Sequence, residues 1–281
     1  MKSKALTLLL LLPFTLFWLA FQFAPLMWVA VNSFWSDLNA AWGWDNYHDI
    51  LTSPFYLQAF RLSLDISFWS SVYGLLIALI AGYSLHQLGA GRLQRLMMSF
   101  TNMTSNFAGV PLAFAFVILL GLNGCLTLLL RHYDLLSDFK LFSRDGMIAV
   151  YTWFQIPLGV LLLYPAFDSL KPDWQESAAL LGASRWRYAW HVALPVLFPA
   201  LLGTFVILLA NALGAYATIY ALTTGNFNVV PVRIAALVAG DISLDPNTGS
   251  ALAMLLVLLM GLITAVQQYL IRRSYLNARH A

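Results

Sequence analysis

The stretch VLFPALLGTFVILLANALGAYATIYAL, residues 196–222, decides the fold class of this chain. It contains no charged side chain, and a helix that rises about 1.5 Å per residue would carry it across the ~30 Å hydrocarbon core of a bilayer. Other long apolar blocks share this absence of charge; they cover residues 5–31, 66–85, 96–120, 147–167 and 250–271. The sequence therefore predicts an all-α membrane protein with six spanning helices.

The overall composition agrees with this assignment. Hydrophobic residues make up 60% of the chain, charged residues 10%, and the mean hydropathy is +0.75, whereas charged residues average about 25% in soluble domains. The net charge of +3 is too small to indicate nucleic-acid binding. Lys2 and Lys4 precede the first apolar block, which we interpret as an uncleaved span because it lacks a clean small-x-small cleavage site.

The basic residues predict the orientation of the helices, because short loops rich in Lys and Arg stay in the cytoplasm. The larger group of basic residues falls on one side of the predicted spans: Lys2, Lys4, Arg92, Arg95, Lys171, Arg185, Arg187, Arg272, Arg273 and Arg279. The smaller group falls on the other side: Arg61, Arg131, Lys140, Arg144 and Arg233. Both termini are therefore predicted to be cytoplasmic. An excess of Asp on the outer side is consistent with a cationic solute, although topology alone keeps basic residues away from that side.

The chain is predicted to form one membrane domain, residues 1–281, without a repeat or a soluble domain. Its outer connections are predicted at 32–65, 121–146 and 223–249, and its inner ones at 86–95 and 168–195. The inner loop at 168–195 is long, because helix connections in bundles usually have about 2–8 residues. This length indicates a loop with a function of its own.

Glu176 is the only glutamate of the chain and lies inside this loop. Asp173 and Glu176 have the spacing of a capping box, which predicts a short helix that begins there. Gly182 is expected to end this helix in a left-handed conformation or a tight turn. A second short helix that contains Trp186 is expected next, and Pro195 then suits the first turn of the following span.

Two structural interpretations compete with a function for this loop. A helix cap contributes about 1 kcal/mol, and Glu176 could serve that purpose alone. Trp186 and Trp190, four residues apart, could be a pair at the membrane interface. Taken together, a sole glutamate, small residues beside it, a central glycine and aromatic residues describe a projection that fits a cleft in another protein.

The run Glu176-Ser177-Ala178-Ala179, followed by Gly182-Ala183 and Leu194-Pro195, resembles the cytoplasmic coupling loop of type I ABC importer permeases. Further segments are similar to motifs of that family: Trp44-Asp45-Asn46-Tyr47, Gly121-Leu122-Asn123-Gly124, Leu213-Gly214-Ala215-Tyr216 and Thr224-Gly225. Ser177 replaces the usual first alanine, and Leu222-Thr223-Thr224-Gly225 replaces a more usual double glycine. The secondary matches favour the subgroup that handles polyamines, aminoethylphosphonate, thiamine or ferric iron.

The resemblance implies a permease subunit of an ATP-driven importer, a multi-pass protein of the bacterial cytoplasmic (inner) membrane that moves a small hydrophilic solute inward by alternating access. Its implied partners are two cytoplasmic ATPase subunits, a second permease subunit that is homologous or identical, an external solute-binding protein and membrane lipid. In this family the short helix of the loop docks in a groove of the ATPase. The matching positions are Glu176, Ser177, Ala178, Ala179, Gly182, Ala183, Arg185 and Pro195.

The sequence carries no motif for catalysis or for a bound cofactor. It lacks a Gly-x-x-x-x-Gly-Lys-Ser/Thr phosphate loop, so the resemblance assigns ATP and Mg²⁺ to the partner ATPase. The five histidines have no metal-ligand spacing, and no His-Glu-x-x-His or Gly-x-Ser-x-Gly occurs, which disfavours an enzyme. The alternative function is an ATP-independent secondary carrier or channel. A midplane ionisable residue would support that alternative, but we place Asp65 at the outer edge, paired with Arg61.

Polar residues inside the predicted spans are candidates for the solute path, because they are costly in lipid unless they face water or a partner helix. Packing between helices is the alternative role. The candidates for the path are Asn102, Asn106, Gln155, Asn211, Gly214 and Thr218. The outer loop at 223–249 is expected to contact the binding protein, and its candidate residues are Pro231, Arg233, Asp241 and Asp245.

Overall fold

The computed structural model describes residues 11–37, 39–133, 140–240 and 244–280, except for the side chains of 273–280. Six helical segments of this part of the chain are long and apolar enough to span a membrane: Leu11–Asn32, Pro54–Gln87, Val110–His132, Arg144–Phe167, Arg185–Leu213 and Pro246–Arg272. The predicted all-α architecture with six spans is therefore confirmed. Residues 5–10 of the first predicted span lie outside the described residues.

The helices are, in chain order, α1 (Leu11–Asn32), α2 (Asp45–Thr52), α3 (Pro54–Gln87), α4 (Arg92–Ser105), α5 (Val110–Leu120), α6 (Cys125–His132), α7 (Arg144–Phe167), α8 (Pro172–Leu180), α9 (Arg185–Leu213), α10 (Ala217–Thr223), α11 (Val230–Ala239) and α12 (Pro246–His280). Strands β1 (Trp35–Ser36) and β2 (Ala41–Trp42) pair antiparallel between α1 and α2. The chain divides into two compact units, 1–60 with 228–259 and 61–227 with 260–281. The predicted single-domain organisation stays a prediction.

In the first unit, buried side chains of α2 hold the turn that follows α1. Asn46 donates hydrogen bonds to the carbonyl oxygens of Ser33, at 3.1 Å, and Trp35, at 2.8 Å. The Tyr47 hydroxyl lies 2.7 Å from the Ser33 hydroxyl. Asn46 and Tyr47 are both buried and belong to the motif Trp44-Asp45-Asn46-Tyr47. This motif therefore fixes the chain where it leaves the first span.

In the second unit, α3, α7 and α9 approach each other closely. A Cβ atom built on Gly74 of α3 would lie 2.9 Å from Cβ of Gln155 in α7. A Cβ atom built on Gly159 of α7 would lie 2.8 Å from Cβ of Ala78 in α3. Such approach through small residues is the usual basis of helix association in lipid, where the apolar solvent supplies no hydrophobic driving force.

The close contact at Gly159 leads to a prediction about stability. Gly159→Ala should lower the free energy of unfolding by about 1–3 kcal/mol, because the added methyl group overpacks the helix interface. Thermal unfolding in detergent measures this loss. Gly261→Ala is the matched control, since no atom lies within 4 Å of a Cβ built there. Equal melting temperatures of the two variants would show that the helix interface accommodates a methyl group at position 159 and would contradict this prediction.

Two of the predicted spans are not single helices. The apolar block at 96–120 is broken between α4 and α5, where Gly109 has a φ of +73°, a value that favours glycine. Pro111 follows in the first turn of α5 and lacks the N–H that would continue the preceding helix. The block at 196–222 is broken between α9 and α10, beginning at Gly214. The candidate spans in these regions are Val110–His132 and Arg185–Leu213. The number of spans was therefore predicted correctly, whereas the bounds and the helical continuity of these two blocks were predicted wrongly.

Two helices contain a π-helical turn just before a proline. The turn at Leu19–Phe23 precedes Pro25 in α1, and the turn at Ala189–Ala193 precedes Pro195 in α9. Proline cannot donate to the carbonyl four residues earlier, and its ring clashes with that carbonyl. A local π turn accommodates both effects and keeps the helix continuous. The second short helix predicted before Pro195 is therefore not separate, because α9 runs from Arg185 to Leu213.

Asp65 pairs with a different residue from the one predicted. Its carboxylate accepts two hydrogen bonds from the guanidinium of Arg144, one from Nε and one from Nη2, the latter at 2.8 Å. Arg144 also donates to Asp145 at 2.8 Å. The sequence prediction of Arg61 as the partner is corrected, since Arg144 lies at the start of α7 and offers bidentate geometry. This ion cluster joins α3 to α7 at one end of the second unit.

Candidate functional site

The helix α8 ends at a glycine turn, as the sequence predicted. Gly182 has a φ of +78°. The amide of Ala183 donates to the carbonyl of Ala178, and the amide of Gly182 donates to the carbonyl of Ala179. These two hydrogen bonds satisfy carbonyl groups that the helix end would otherwise leave unpaired, as in a Schellman motif. A Cβ built on Gly182 would meet no atom within 4 Å, so the turn is open on its outer side.

Glu176 does not cap this helix. The N-cap residue is Lys171, no side chain makes a cap hydrogen bond, and Pro172 and Asp173 lie in the first turn. The capping box predicted for Asp173 and Glu176 is therefore wrong, because the helix begins earlier and Pro172 removes one of the donors that a cap would satisfy. Glu176 is exposed and has no partner within the described residues.

The most exposed large side chains of the loop were not predicted. Leu180 and Leu181 are 89% and 88% exposed at the end of α8, directly before Gly182. The signal was present in the sequence, since two leucines interrupt a run of small residues in a loop that otherwise connects two spans. The remaining predicted residues surround them: Ser177, Ala179 and Arg185 are exposed, and Ala178 and Ala183 are half-buried.

The start of α9 continues the same exposed surface. Ser184 caps the helix by accepting a hydrogen bond from the amide of Arg187 at 3.3 Å. Trp186 and Trp190 pack edge to face with ring centroids 5.7 Å apart, and they are 72% and 52% exposed. Pro195 is exposed as well. The loop therefore presents a carboxylate, two leucines and two indole rings on neighbouring elements.

The breaks in the third and fifth predicted spans meet inside the second unit. The amide of Gly109, between α4 and α5, donates to the hydroxyl of Thr218 in α10 at 2.9 Å. The hydroxyl of Tyr151 in α7 donates to the carbonyl of Ala215, between α9 and α10, at 2.8 Å. A side chain from another helix thus satisfies a backbone group at each break, as burial in an apolar medium requires. The two breaks form one hydrogen-bonded junction.

The predicted path residues fall into two groups. Asn102, Asn106, Asn211 and Gly214 are exposed. Asn106 ends α4, and its side chain donates to the carbonyl of Asn102 at 3.0 Å. Asn211 has no partner within the described residues. These residues lie beside the helix breaks on a surface that the subunit itself leaves uncovered.

Gln155 and Thr218 belong to the packing between helices. Gln155 is fully buried, and in the amide orientation assigned from its hydrogen bonds its nitrogen donates to the carbonyl of Leu208 at 2.8 Å. Its oxygen then accepts from the hydroxyls of Ser70 and Ser71 at 3.0 and 3.1 Å. Thr218 is 2% exposed at the junction of the breaks. Their burial favours the packing alternative over a place on the path.

The predicted binding-protein contacts lie in the first unit. Arg233 is half-buried and stacks over the ring of Phe55 at 5.1 Å, and burial lowers the pKa of its guanidinium. Asp245 accepts a hydrogen bond from the amide of Thr248 at 2.9 Å and thereby supports the start of α12. Pro231 is half-buried in the first turn of α11. Asp241 lies outside the described residues.

The chain is similar in sequence to known transport permease proteins. The sulfate transport system permease protein CysT of Escherichia coli (strain K12) is 26% identical over 183 residues, which cover 64% of this chain and 64% of CysT. The ferric transport system permease protein FbpB of Actinobacillus pleuropneumoniae is 28% identical over 162 residues, or 57% of this chain and 23% of FbpB. The chain therefore spans less than two thirds of the length of these relatives.

The fold has a close match among solved structures. A chain from the crystal structure of a bacterial ABC transporter involved in the import of the acidic polysaccharide alginate superposes with a TM-score of 0.77 at 18% identity, covering 97% of this chain and 96% of that one. The family profile described as binding-protein-dependent transport system inner membrane component matches residues 74–276, which include the helix breaks and the whole loop at 168–195. The chain belongs to this family of inner-membrane transport components.

Proposed function

We propose that this chain is the transmembrane permease subunit of an ATP-driven importer and that the loop at 168–195 docks it onto a cytoplasmic ATPase subunit. The observation that carries the proposal is the exposed end of α8. Leu180 and Leu181 are exposed, although full burial of each side chain would stabilise the protein by about 1.5–3 kcal/mol. A cleft in a partner would bury them and would pair the carboxylate of Glu176 with a basic group.

The assembly follows from this docking. Two ATPase subunits bind ATP and Mg²⁺, and each engages one permease subunit through the loop. The second permease subunit, identical or homologous, faces the exposed polar surface at Asn211 across the solute path. An external solute-binding protein contacts the segment that carries Pro231 and Asp245. The excess of basic residues at the loop supports a cytoplasmic location for it and for both termini.

Transport then proceeds by alternating access. Closure of the two ATPases displaces α8, and the permease exchanges an inward-open for an outward-open state because each state makes different contacts with the ATPases. The junction of the helix breaks is suited to act as the gate. Few hydrogen bonds hold it, and glycine at 109 and 214 permits the backbone changes that opening requires.

The proposed solute is small and hydrophilic. The relatives compared above are named for sulfate and ferric transport, and neither name supports a polyamine or a phosphonate. Topology alone keeps basic residues away from the outer side, so the excess of Asp there gives no support for a cationic solute either. A binding screen with the cognate external binding protein identifies the solute, because that subunit selects it in this family.

Docking through the leucine pair can be tested by introducing a charge. Leu181→Asp should lower association with the ATPase by at least about tenfold, because an unpaired carboxylate would be buried in an apolar cleft. Copurification of the tagged permease with its ATPase measures the effect. Leu244→Asp is the matched control, since Leu244 is also a highly exposed leucine outside the helices, at 71%, and lies in a predicted outer loop and outside the candidate spans.

The same preparation separates the two candidate functions. An importer requires ATP and the ATPase for uptake into vesicles, and Leu181→Asp removes that uptake. A secondary carrier or channel would transport at an unchanged rate without the ATPase and with either aspartate variant. Uptake that is independent of ATP would therefore overturn the proposal.

A further inference from the structure

The last residue of α7, Phe167, lies at the point where the loop at 168–195 leaves the membrane domain. It is 1% exposed, although Asp168 beside it is largely exposed. Its ring centroid lies 6.0 Å from that of Tyr83 and 5.9 Å from that of His86, both in α3. A Cβ built on Gly82 would lie 3.0 Å from the Phe167 ring, so glycine at this position makes room for it.

The side chain of Phe167 belongs to a buried cluster that reaches both ends of the loop. Ala78 of α3, Val160 and Leu163 of α7, and Leu197 of α9 form this cluster with it. Leu170 packs against the cluster from the segment between α7 and α8, and Leu201 packs against it from α9. The chain therefore leaves the cluster before α8 and returns to it after Pro195.

Polar contacts at the loop base are weaker candidates for this connection. Nδ1 of His86 lies 3.7 Å from Oδ1 of Asp168, and the Asp168 side chain is 72% exposed. Exposed ion pairs contribute about 0–1 kcal/mol to stability. Gln94 of α4 donates to the hydroxyl of Tyr164 at 2.7 Å, which ties α4 to α7 but involves no residue of the loop.

We infer that Phe167 is the positioning residue that makes the loop move as one body with α3, α7 and α9. This inference rests on the proposed function, because it assumes that an ATPase displaces α8. Packed interiors have low compressibility and transmit displacement. With the ring in place, a push on α8 moves three spanning helices together. Without the ring, the short non-helical segment before α8 flexes, and ATP hydrolysis no longer drives the gate.

The test measures coupling separately from docking and folding. In vesicles that contain permease, ATPase and binding protein, Phe167→Ala should retain the ATPase and its hydrolysis but lower the solute moved per ATP by about tenfold. Phe167→Leu should restore most of this ratio, since it refills the cluster. Met147→Ala is the control, because Met147 is buried in the same helix near the end away from the loop.

Each outcome decides the inference. If Phe167→Ala assembles and its ratio of solute to ATP equals that of Met147→Ala, the inference is overturned. If Phe167→Ala does not fold, Gly82→Ala carries the test, because it displaces the ring without creating a cavity, and an unchanged ratio in that variant overturns the inference. If the unmodified permease does not bind an ATPase, the proposed function is refuted instead.

Discussion

Glu176→Ala is expected to abolish ATP-driven uptake while the protein still inserts and folds. Glu176 is exposed and has no partner within the described residues, and α8 is not capped by it. Its removal should change the stability of the subunit by no more than about 0.5 kcal/mol. In a complex, loss of one partner of a buried charge pair costs about 2–5 kcal/mol. The effect is therefore concentrated in the assembly.

Glu176→Gln separates charge from shape. Because the side chain does not cap α8, glutamine preserves every local contact and removes only the negative charge, and uptake should be lost here as well. Gln175→Ala, at the preceding exposed position of the same helix, is the matched control and should transport normally. Uptake in vesicles and copurified ATPase are measured together. Near-normal values for both Glu176 variants would show that another group of the loop carries the docking.

Features encoded locally could be predicted from the sequence. The number of spans follows from the apolar blocks, and the turn at Gly182 follows from a glycine placed after a run of helix formers, since few other residues adopt a φ of +78°. The loop at 168–195 can be recognised from the sequence because its composition differs from that of the spans around it. These signals need no knowledge of distant contacts.

Features that depend on distant contacts could not be predicted. Arg144 pairs with Asp65, which lies 79 positions away in the sequence. The Thr218 hydroxyl accepts a hydrogen bond from the amide of Gly109, which lies 109 positions away. No spacing rule relates residues so far apart in sequence, so the sequence alone favours a local partner for Asp65 such as Arg61. The capping box failed for a local reason, because Pro172 starts α8 before Asp173 could cap it. The sequence predicts Gln155 as a path candidate because sequence cannot distinguish a buried amide from an exposed one.

The contrast between Gln155 and Asn211 makes a second large effect testable. Both are amides inside apolar spans, yet Gln155 is fully buried among Ser70, Ser71 and Leu208, while Asn211 is exposed beside the break that follows α9. A buried amide stabilises helix association by about 1 kcal/mol for each interhelical hydrogen bond. An exposed amide at membrane depth faces lipid, a partner subunit or water, and the cost of an unpaired amide in lipid favours water.

Asn211→Leu should therefore leave folding and assembly unchanged and lower uptake per assembled complex by about tenfold, because it removes a polar group from the solute path. Gln155→Leu should show the opposite behaviour, with a lower melting temperature and uptake that falls only in proportion to folded protein. Asn106→Leu separates the two roles less well, since it also removes the hydrogen bond to the carbonyl of Asn102. Melting temperature, assembled complex and uptake should be measured on one preparation of each variant. If uptake by Asn211→Leu merely tracks the amount of folded complex, the exposed amides hold helices or subunits together and the solute passes along a different face.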